Sequence, residues 1–280
     1  MKFSSILKGS AFIGGALLVA KGLVDRLETT HYTISSSKIP QEFDKFRIVQ
    51  ISDVHSATVP GLVAEIKGEA PDIIVSTGDL VHDRGSYEPA IRLIKKLTKI
   101  APVYAVSGNH DLRRSDYGSY LKALDGSGVV SLHNQSTEIK KGNASIMLSG
   151  IEDPFSEDGA RINNNILNSF SKLNRTDNFH ILLFHRANHL DILKDKGIDL
   201  ILSGHMHGGQ FRFPNGRGIC APKSSWGSSK KMLFPKYFGG HYKHNSTDMI
   251  VNRGIGNPMI IPRLFNRPEI SVIILESSQS

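Results

Sequence analysis

The feature that most constrains this chain is a repeated punctuation: short apolar runs, each closed by a cluster of Asp, Asn or His. "FRIVQIS" (46–52) ends at "DVH", "DIIVST" (72–77) at "GD", and "PVYAVS" (102–107) at "GNHD". "HILLF" (180–184) ends at His185 and "DLILS" (199–203) at "GHMH". Short apolar runs bounded by Gly and polar residues read as buried strands. Helical periods lie between several of them, at 60–69, 87–99, 115–125 and 187–197, and "HYTISSSKIPQEF" (31–43) reads as a further strand and a turn. Strands alternating with helices predict an α/β fold. In open α/β sheets ligands bind beyond the carboxyl ends of the strands. The pattern therefore predicts that all five clusters gather at one edge.

The clusters supply Asp53, His55, Asp79, Asn109, His185, His205 and His207 as possible metal ligands, with His110 and Asp111 beside them. Each has a plain alternative on its own. D-x-H is a common triplet, "GD" after a strand is usually a turn, "GNHD" can be a turn with a capping Asn, and His185 can be a satisfied buried histidine. Five such clusters in succession, each after an apolar run, are hard to reconcile with chance. A set of imidazoles and carboxylates suits Mn, Fe or Zn rather than calcium, which prefers oxygen alone. Seven donors are too many for one tetrahedral ion. They suit two ions about 3.5–4 Å apart with one shared carboxylate, an arrangement that clamps both oxygens of an in-line phosphoryl displacement.

The flanks add a second theme. The net charge is +8, which favours anionic partners without choosing among phosphate groups, nucleic acid and lipid. A single cysteine, Cys220, excludes an internal disulfide. Near the start, the twelve-residue run "GSAFIGGALLVA" (9–20) lies between Lys8 and Lys21. It is short for a bilayer span, which needs about 20 residues, and no convincing cleavage site or twin-arginine pair accompanies it. An uncleaved anchor from Phe3 to Val24 with snorkelling lysines is one reading. A surface helix presenting Ile13, Leu17, Ala20, Val24 and Leu27 on one face is the other. Residues 1–28 are thus expected to be a signal-anchor or membrane-associated segment. Between Gly208 and Thr247 there is no Asp or Glu, while Arg212, Arg217, Lys223, Lys230, Lys231, Lys236 and Lys243 alternate with Phe211, Phe213, Trp226, Phe234, Tyr237, Phe238 and Tyr242. Aromatic residues among cations suit an anionic membrane surface and, less well given the apolar N-terminus, single-stranded nucleic acid. A hairpin with its aromatics packed on the core is the plain alternative.

Taken together, "DVH", "GD", "GNHD", a lone His after a strand, and "GHMH" resemble the five-block signature of the calcineurin-like metallophosphoesterases. "FRIVQISDVHS", "GHMHGGQFRFP" and "VNRGIGNPMIIPRLFNRPEISVIIL" (251–275) look like the bacterial membrane-associated YkuE/YaeI-like branch, related to UDP-2,3-diacylglucosamine diphosphatases. The resemblance implies one such domain over 31–276. It implies a four-layer αββα sandwich of two mixed sheets flanked by helices. It also implies two divalent ions: one held by Asp53, His55 and His207, the other by Asn109, His185 and His205, with Asp79 bridging. Metal-activated hydroxide would attack phosphorus in a phosphodiester or pyrophosphate, His110 would protonate the leaving oxygen or stabilise charge on it, and Asp111 would orient His110. The expected substrate is a phosphorylated small molecule or lipid, lipid-linked or of nucleotide-sugar type. The expected location is the cell envelope, membrane-attached or exported. A nuclease or protein phosphatase on the same scaffold is the alternative, and a non-catalytic scaffold is disfavoured because every ligand position is filled. Arg113, Arg114 and Arg186 are candidates to contact substrate phosphate. His82 and Asp83 are expected to lie behind the site or face solvent. In place of the usual His-x-Pro, the chain has "HRANH" (185–189).

Overall fold

The computed structural model describes residues 22–23, 26–155, 159–220, 222, 233–257 and 261–278. The apolar run at 9–20, and Trp226 with its neighbouring lysines, lie outside the described residues. Among the described residues no helix is long and apolar enough to cross a membrane.

The described residues form two six-stranded sheets. The first has β1 (Glu28–Ser36), β2 (Arg47–Ile51), β3 (Ile73–Ser76), β4 (Val103–Ala105), β5 (Val130–Ser131) and β12 (Glu269–Ser277), in the order β1-β12-β2-β3-β4-β5. The second has β6 (Gln135–Lys141), β7 (Ala144–Ile151), β8 (His180–Arg186), β9 (Leu200–Gly204), β10 (Gly240–His244) and β11 (Thr247–Val251), in the order β10-β11-β9-β8-β7-β6. The strands that carry the polar clusters run parallel: β2 with β3, β3 with β4, and β8 with β9. Hence their carboxyl ends share an edge.

Three apolar cores define four layers. The two sheets face each other through Ile48, Val75 and Val106 on one side and Leu148, Ile181, Leu183 and Leu202 on the other. The outer face of the first sheet is covered by α1 (Leu62–Gly68), α2 (Glu88–Leu97) and α4 (Tyr117–Asp125) through residues such as Ile66, Ile94 and Tyr120. The short α3 (Asn109–Leu112) opens the loop between β4 and α4. The outer face of the second sheet is covered by α5 (Gly159–Ser171) and the turn that follows β8, through Ile162, Ile166 and Leu190. The fold is thus α/β with two mixed sheets and helices on both outer faces. Helices and strands follow from pattern: α2 carries Ala90, Ile91, Ile94 and Leu97 at helical spacing on its buried side, while β2, β3 and β9 are mostly apolar and buried along nearly their whole length because both faces are covered.

One expected element differs. Residues 187–197 do not form an α-helix; a short 3-10 helix spans Ala187–Ile192. Arg186, directly before it, is pinned in a buried ion pair, and the chain must return to β9 past Asp195 and Gly197, both at positive φ. That leaves room only for tight turns.

Candidate metal centre

Every expected ligand lies at the shared edge, and all seven are buried. Asp53 and His55 follow β2, Asp79 follows β3, Asn109 opens α3 after β4, His185 lies on β8, and His205 and His207 follow β9. Two groups of donors converge. In one, His207 Nε2 is 3.4 Å from Asp53 Oδ1 and 3.3 Å from His55 Nε2. In the other, His185 Nε2 is 3.2 Å from Asp79 Oδ2 and 3.2 Å from His205 Nδ1. The same Asp79 oxygen is 3.8 Å from His55 Nε2. One carboxylate oxygen therefore faces both groups.

The backbone is bent to achieve this. Asp53, His55, Asp79, His205 and His207 all have positive φ, between 45° and 74°. For residues with a Cβ this region costs of order 1 kcal/mol or more each and persists only where surrounding structure enforces it. The enforcement is visible. Asp111 accepts the backbone N–H groups of Asp79 (2.8 Å), Gly108 (2.7 Å) and Val81 (3.0 Å). Asp53 Oδ2 accepts from Ser52 Oγ and from the N–H of His205, which leaves Oδ1 for the imidazoles. Asp79 Oδ1 accepts the N–H of His110, which leaves Oδ2. Two glycines allow the close approach: a Cβ on Gly204 would overlap Ser52 Oγ and Asp53 Oδ2, and one on Gly108 would overlap Asp79.

The electrostatics fit a cation. Burial pushes His55 and His207 down to about 3 and His205 well below the ordinary imidazole value, so these three are neutral and carry lone pairs at pH 7. Burial also opposes charge on His185, but Asp79 overrides it and holds His185 at about 10; the reciprocal attraction holds Asp79 well below the usual carboxylate range. His185 Nδ1 lies 2.7 Å from the carbonyl of Thr77, the contact that turns its Nε2 inward. Asp53 Oδ1, His55 Nδ1 and both amide atoms of Asn109 are buried without a hydrogen-bond partner. Three neutral imidazoles, an ionised carboxylate and orphaned buried polar atoms are donor states that a divalent ion requires, and His185 would give up its proton on binding one.

The structure redistributes several expected roles. Asp111 does not orient His110; its oxygens are taken by the three backbone N–H groups and by Tyr120 Oη at 3.4 Å. The carboxylate near His110 is Asp83, with Oδ1 3.8 Å from His110 Nδ1 and 2.5 Å from His82 Nδ1. His110 itself is half-buried, its ring 4.8 Å from that of His55 and 4.9 Å from that of His82. So His82 and Asp83 adjoin the site. Arg114 is buried and clamps the carbonyls of His82 and Gly85 and the carboxylate of Asp116; it holds a loop instead of reaching substrate. Arg186 is also buried, in a two-pronged pair with Asp153 (2.7 and 2.9 Å), because a guanidinium directly after a buried ligand needs a counter-charge. Arg113 is exposed, its guanidinium 6.0 Å over the ring of Phe155, and remains near the rim.

Sequence reasoning also passed over Arg263 and Asn266. Arg263 Nη2 lies 3.4 Å from His207 Nδ1, and Arg263 donates to the carbonyls of Arg253 and Gly256. Asn266 Nδ2 donates to the carbonyls of His207 and Gln210. Both belong to the stretch 251–275, where only the string as a whole had been singled out.

A parallel-stranded sandwich with buried carboxylates and imidazoles converging at one edge defines a metal-dependent hydrolase of phosphoesters. The chain belongs to the calcineurin-like phosphoesterase family, whose profile matches residues 46–209. It is 31% identical over 290 residues to the uncharacterized metallophosphoesterase YkuE of Bacillus subtilis, covering 99% of this chain and 95% of that protein. It is 28% identical to YkoQ of the same organism (81% of this chain, 82% of that protein) and 27% identical to phosphodiesterase YaeI of Escherichia coli (82% of each).

Proposed function

We propose that this centre holds two divalent ions, Mn, Fe or Zn, and hydrolyses a phosphodiester or pyrophosphate bond in a lipid-linked or nucleotide-sugar-type substrate. The observation that carries the reading is the placement of Asp79 Oδ2, 3.2 Å from His185 Nε2 and 3.8 Å from His55 Nε2. Asp53, His55 and His207 would hold one ion and Asn109, His185 and His205 the other, with Asp79 common to both. Bound there, the ions would supply Lewis acidity at phosphoryl oxygen and a nucleophile at neutral pH.

The remaining work falls to side chains at the rim. His110 is the only residue of the "GNHD" block that is not fully buried, and it is the group placed to give a proton to the departing oxygen. Asp83 and His82 lie beside that ring, the carboxylate 3.8 Å from its Nδ1 and the second imidazole 4.9 Å away between ring centres. Arg113 offers a guanidinium to a phosphate oxygen from the same helix.

The test is hydrolysis of bis(p-nitrophenyl) phosphate with added Mn, Fe or Zn, stopped by chelator, alongside metal analysis. Asp79→Ala is expected to lose both ions and nearly all turnover. Absence of turnover with every divalent metal would sink the proposal.

A further inference from the structure

The strand polarity that gathers the ligands also fixes where the N-terminal segment joins the domain. β12 runs antiparallel to β2, and β1 runs parallel to β12, with Glu28 opposite Glu269. The first residue of β1 therefore lies at the edge where β2 ends, which is the catalytic edge. Just before it, the carbonyl of Gly22 accepts the N–H of Phe265 at 2.7 Å. Phe265 follows Leu264, which pairs with Phe211 and accepts the N–H of Arg212. Gly22 thus lies beside the loop that leaves His207.

The exposed apolar side chains are concentrated at that edge. Eight large ones are exposed among the described residues: Leu23, Val130, Phe155, Leu167, Phe213, Leu233, Phe234 and Ile261. All but Val130 and Leu167 lie on connections that begin or end at the catalytic edge. Phe213 and Phe234 stack on each other, rings 6.3 Å apart and 10° from parallel, yet remain 42% and 47% exposed. Ile261, also exposed, accepts through its carbonyl from Nε2 of Gln210, which lies three residues before Phe213 along the chain. The cations nearby divide into two sets. Lys236 and Lys243 are neutralised by Asp191 and Asp248, and Arg212 is half-buried over Phe238. Arg217 is exposed, with its guanidinium 5.1 Å over the ring of Phe234, and no Asp or Glu occurs between Gly208 and Thr247.

We infer that the Phe213–Phe234 stack, with Leu233 and Ile261 and the Arg217 cation, is a docking surface for an anionic lipid bilayer, and that the protein works with its metal-binding edge turned toward the membrane. Stacked aromatics with a basic rim suit the headgroup layer, where rings meet the acyl boundary and guanidinium groups meet phosphate. An exposed apolar patch marks an interaction surface, and Gly22, which follows the apolar run 9–20 in the sequence, lies beside Phe265, next to the loop that leaves His207. The orientation deepens the proposed function: an amphiphilic phosphodiester could pass from the bilayer to the metal edge without crossing water.

The test reads depth, not turnover. In the full chain, Trp226→Phe removes the native tryptophan, and a reporter is placed by Phe234→Trp or, as control on α5, Leu167→Trp. Each protein is reconstituted with phosphatidylcholine vesicles, with or without phosphatidylglycerol, whose acyl chains carry bromine as a quencher. The expected result is severalfold stronger quenching at position 234 than at 167, increased by phosphatidylglycerol and reduced by Arg217→Glu. Equal quenching at both positions on protein that floats with vesicles would overturn the orientation. So would shielding of position 234 by single-stranded oligonucleotide instead of lipid, or by a second copy in a detergent-stable dimer. Because no substrate is present, a protein that docks but never hydrolyses a diester would keep this inference and lose the proposed function, and the converse result would separate them equally.

Discussion

Removing the carboxylate of Asp153 should reveal whether Arg186 serves the fold or the substrate. The guanidinium is 1% exposed and is held through Nε and Nη2 by both oxygens of Asp153, itself buried. Asp153 is in turn seated by Ser107 Oγ, which accepts its N–H, and its Oδ1 accepts the N–H of Phe155. Asp153→Ala would remove the buried carboxylate that pairs with the Arg186 cation, a change that costs about 3–5 kcal/mol. For a domain of this size, about 1 kcal/mol moves the thermal midpoint by roughly 2 °C, so calorimetry should show a fall of roughly 6–10 °C. Arg186→Met in the same chain removes the remaining cation, and the double variant should recover most of the loss, because a buried pair is often worth little more than apolar residues of similar volume. The double-mutant cycle therefore measures a coupling near the sum of the two single-variant costs, since Arg186→Met alone leaves Asp153 unpaired. If Asp153→Ala lowers stability by less than about 1 kcal/mol, the pair does not hold the edge together. If Arg186→Met raises KM while leaving kcat and the thermal midpoint unchanged, the guanidinium touches substrate and the structural assignment fails.

Other perturbations address the centre and its surroundings. His110→Ala should keep both ions by metal analysis and lower kcat by roughly 10²–10⁴-fold, the range for loss of a general acid; loss of metal instead would make His110 a ligand. Gly204→Ala should weaken metal binding through Ser52 and Asp53, seen as a raised Mn requirement for turnover, and Ser52→Ala in the same chain should restore part of it; an unchanged Mn requirement would show that the wall is not tight there. His180, at the opposite end of β8, is lowered from about 6.5 to about 4 by burial, which outweighs the attraction of Asp199. Its folded value lies below its unfolded one, so its contribution is complete above pH 6.5 and lost as pH falls toward 4, by up to about 3 kcal/mol; urea unfolding across that window should show the slope, and His180→Gln should flatten it.

Much of the centre was legible because it depends on strand ends. An apolar run buried on both faces has a composition signal, and the residue just past it must lie at the sheet edge wherever the sheet is parallel. Asp53, Asp79, Asn109, His185 and His205 could be placed by that rule alone. The same rule is silent about residues whose role is decided by what surrounds them. Asp111, Arg114 and Arg186 carry charges suited to catalysis or phosphate binding. Each is buried against backbone groups or a counter-ion that only folding brings near: Asp79 is 32 residues from Asp111, and Asp153 is 33 residues from Arg186. Arg263, 56 residues from His207, sits in a loop with no periodicity to mark it. Edge strands were faint for another reason: β6, "QSTEIKK", is mostly polar or exposed and has one buried residue, Ile139. The basic-aromatic stretch shows both limits together. Its composition suggested one surface, but folding divides it, sending Tyr237 inward and half-burying Arg212 over Phe238, pairing Lys236 with Asp191, and leaving Phe213, Phe234 and Arg217 exposed. Charge counted along a sequence therefore overstates a docking surface, and the part that survives folding is the part an anionic bilayer can meet.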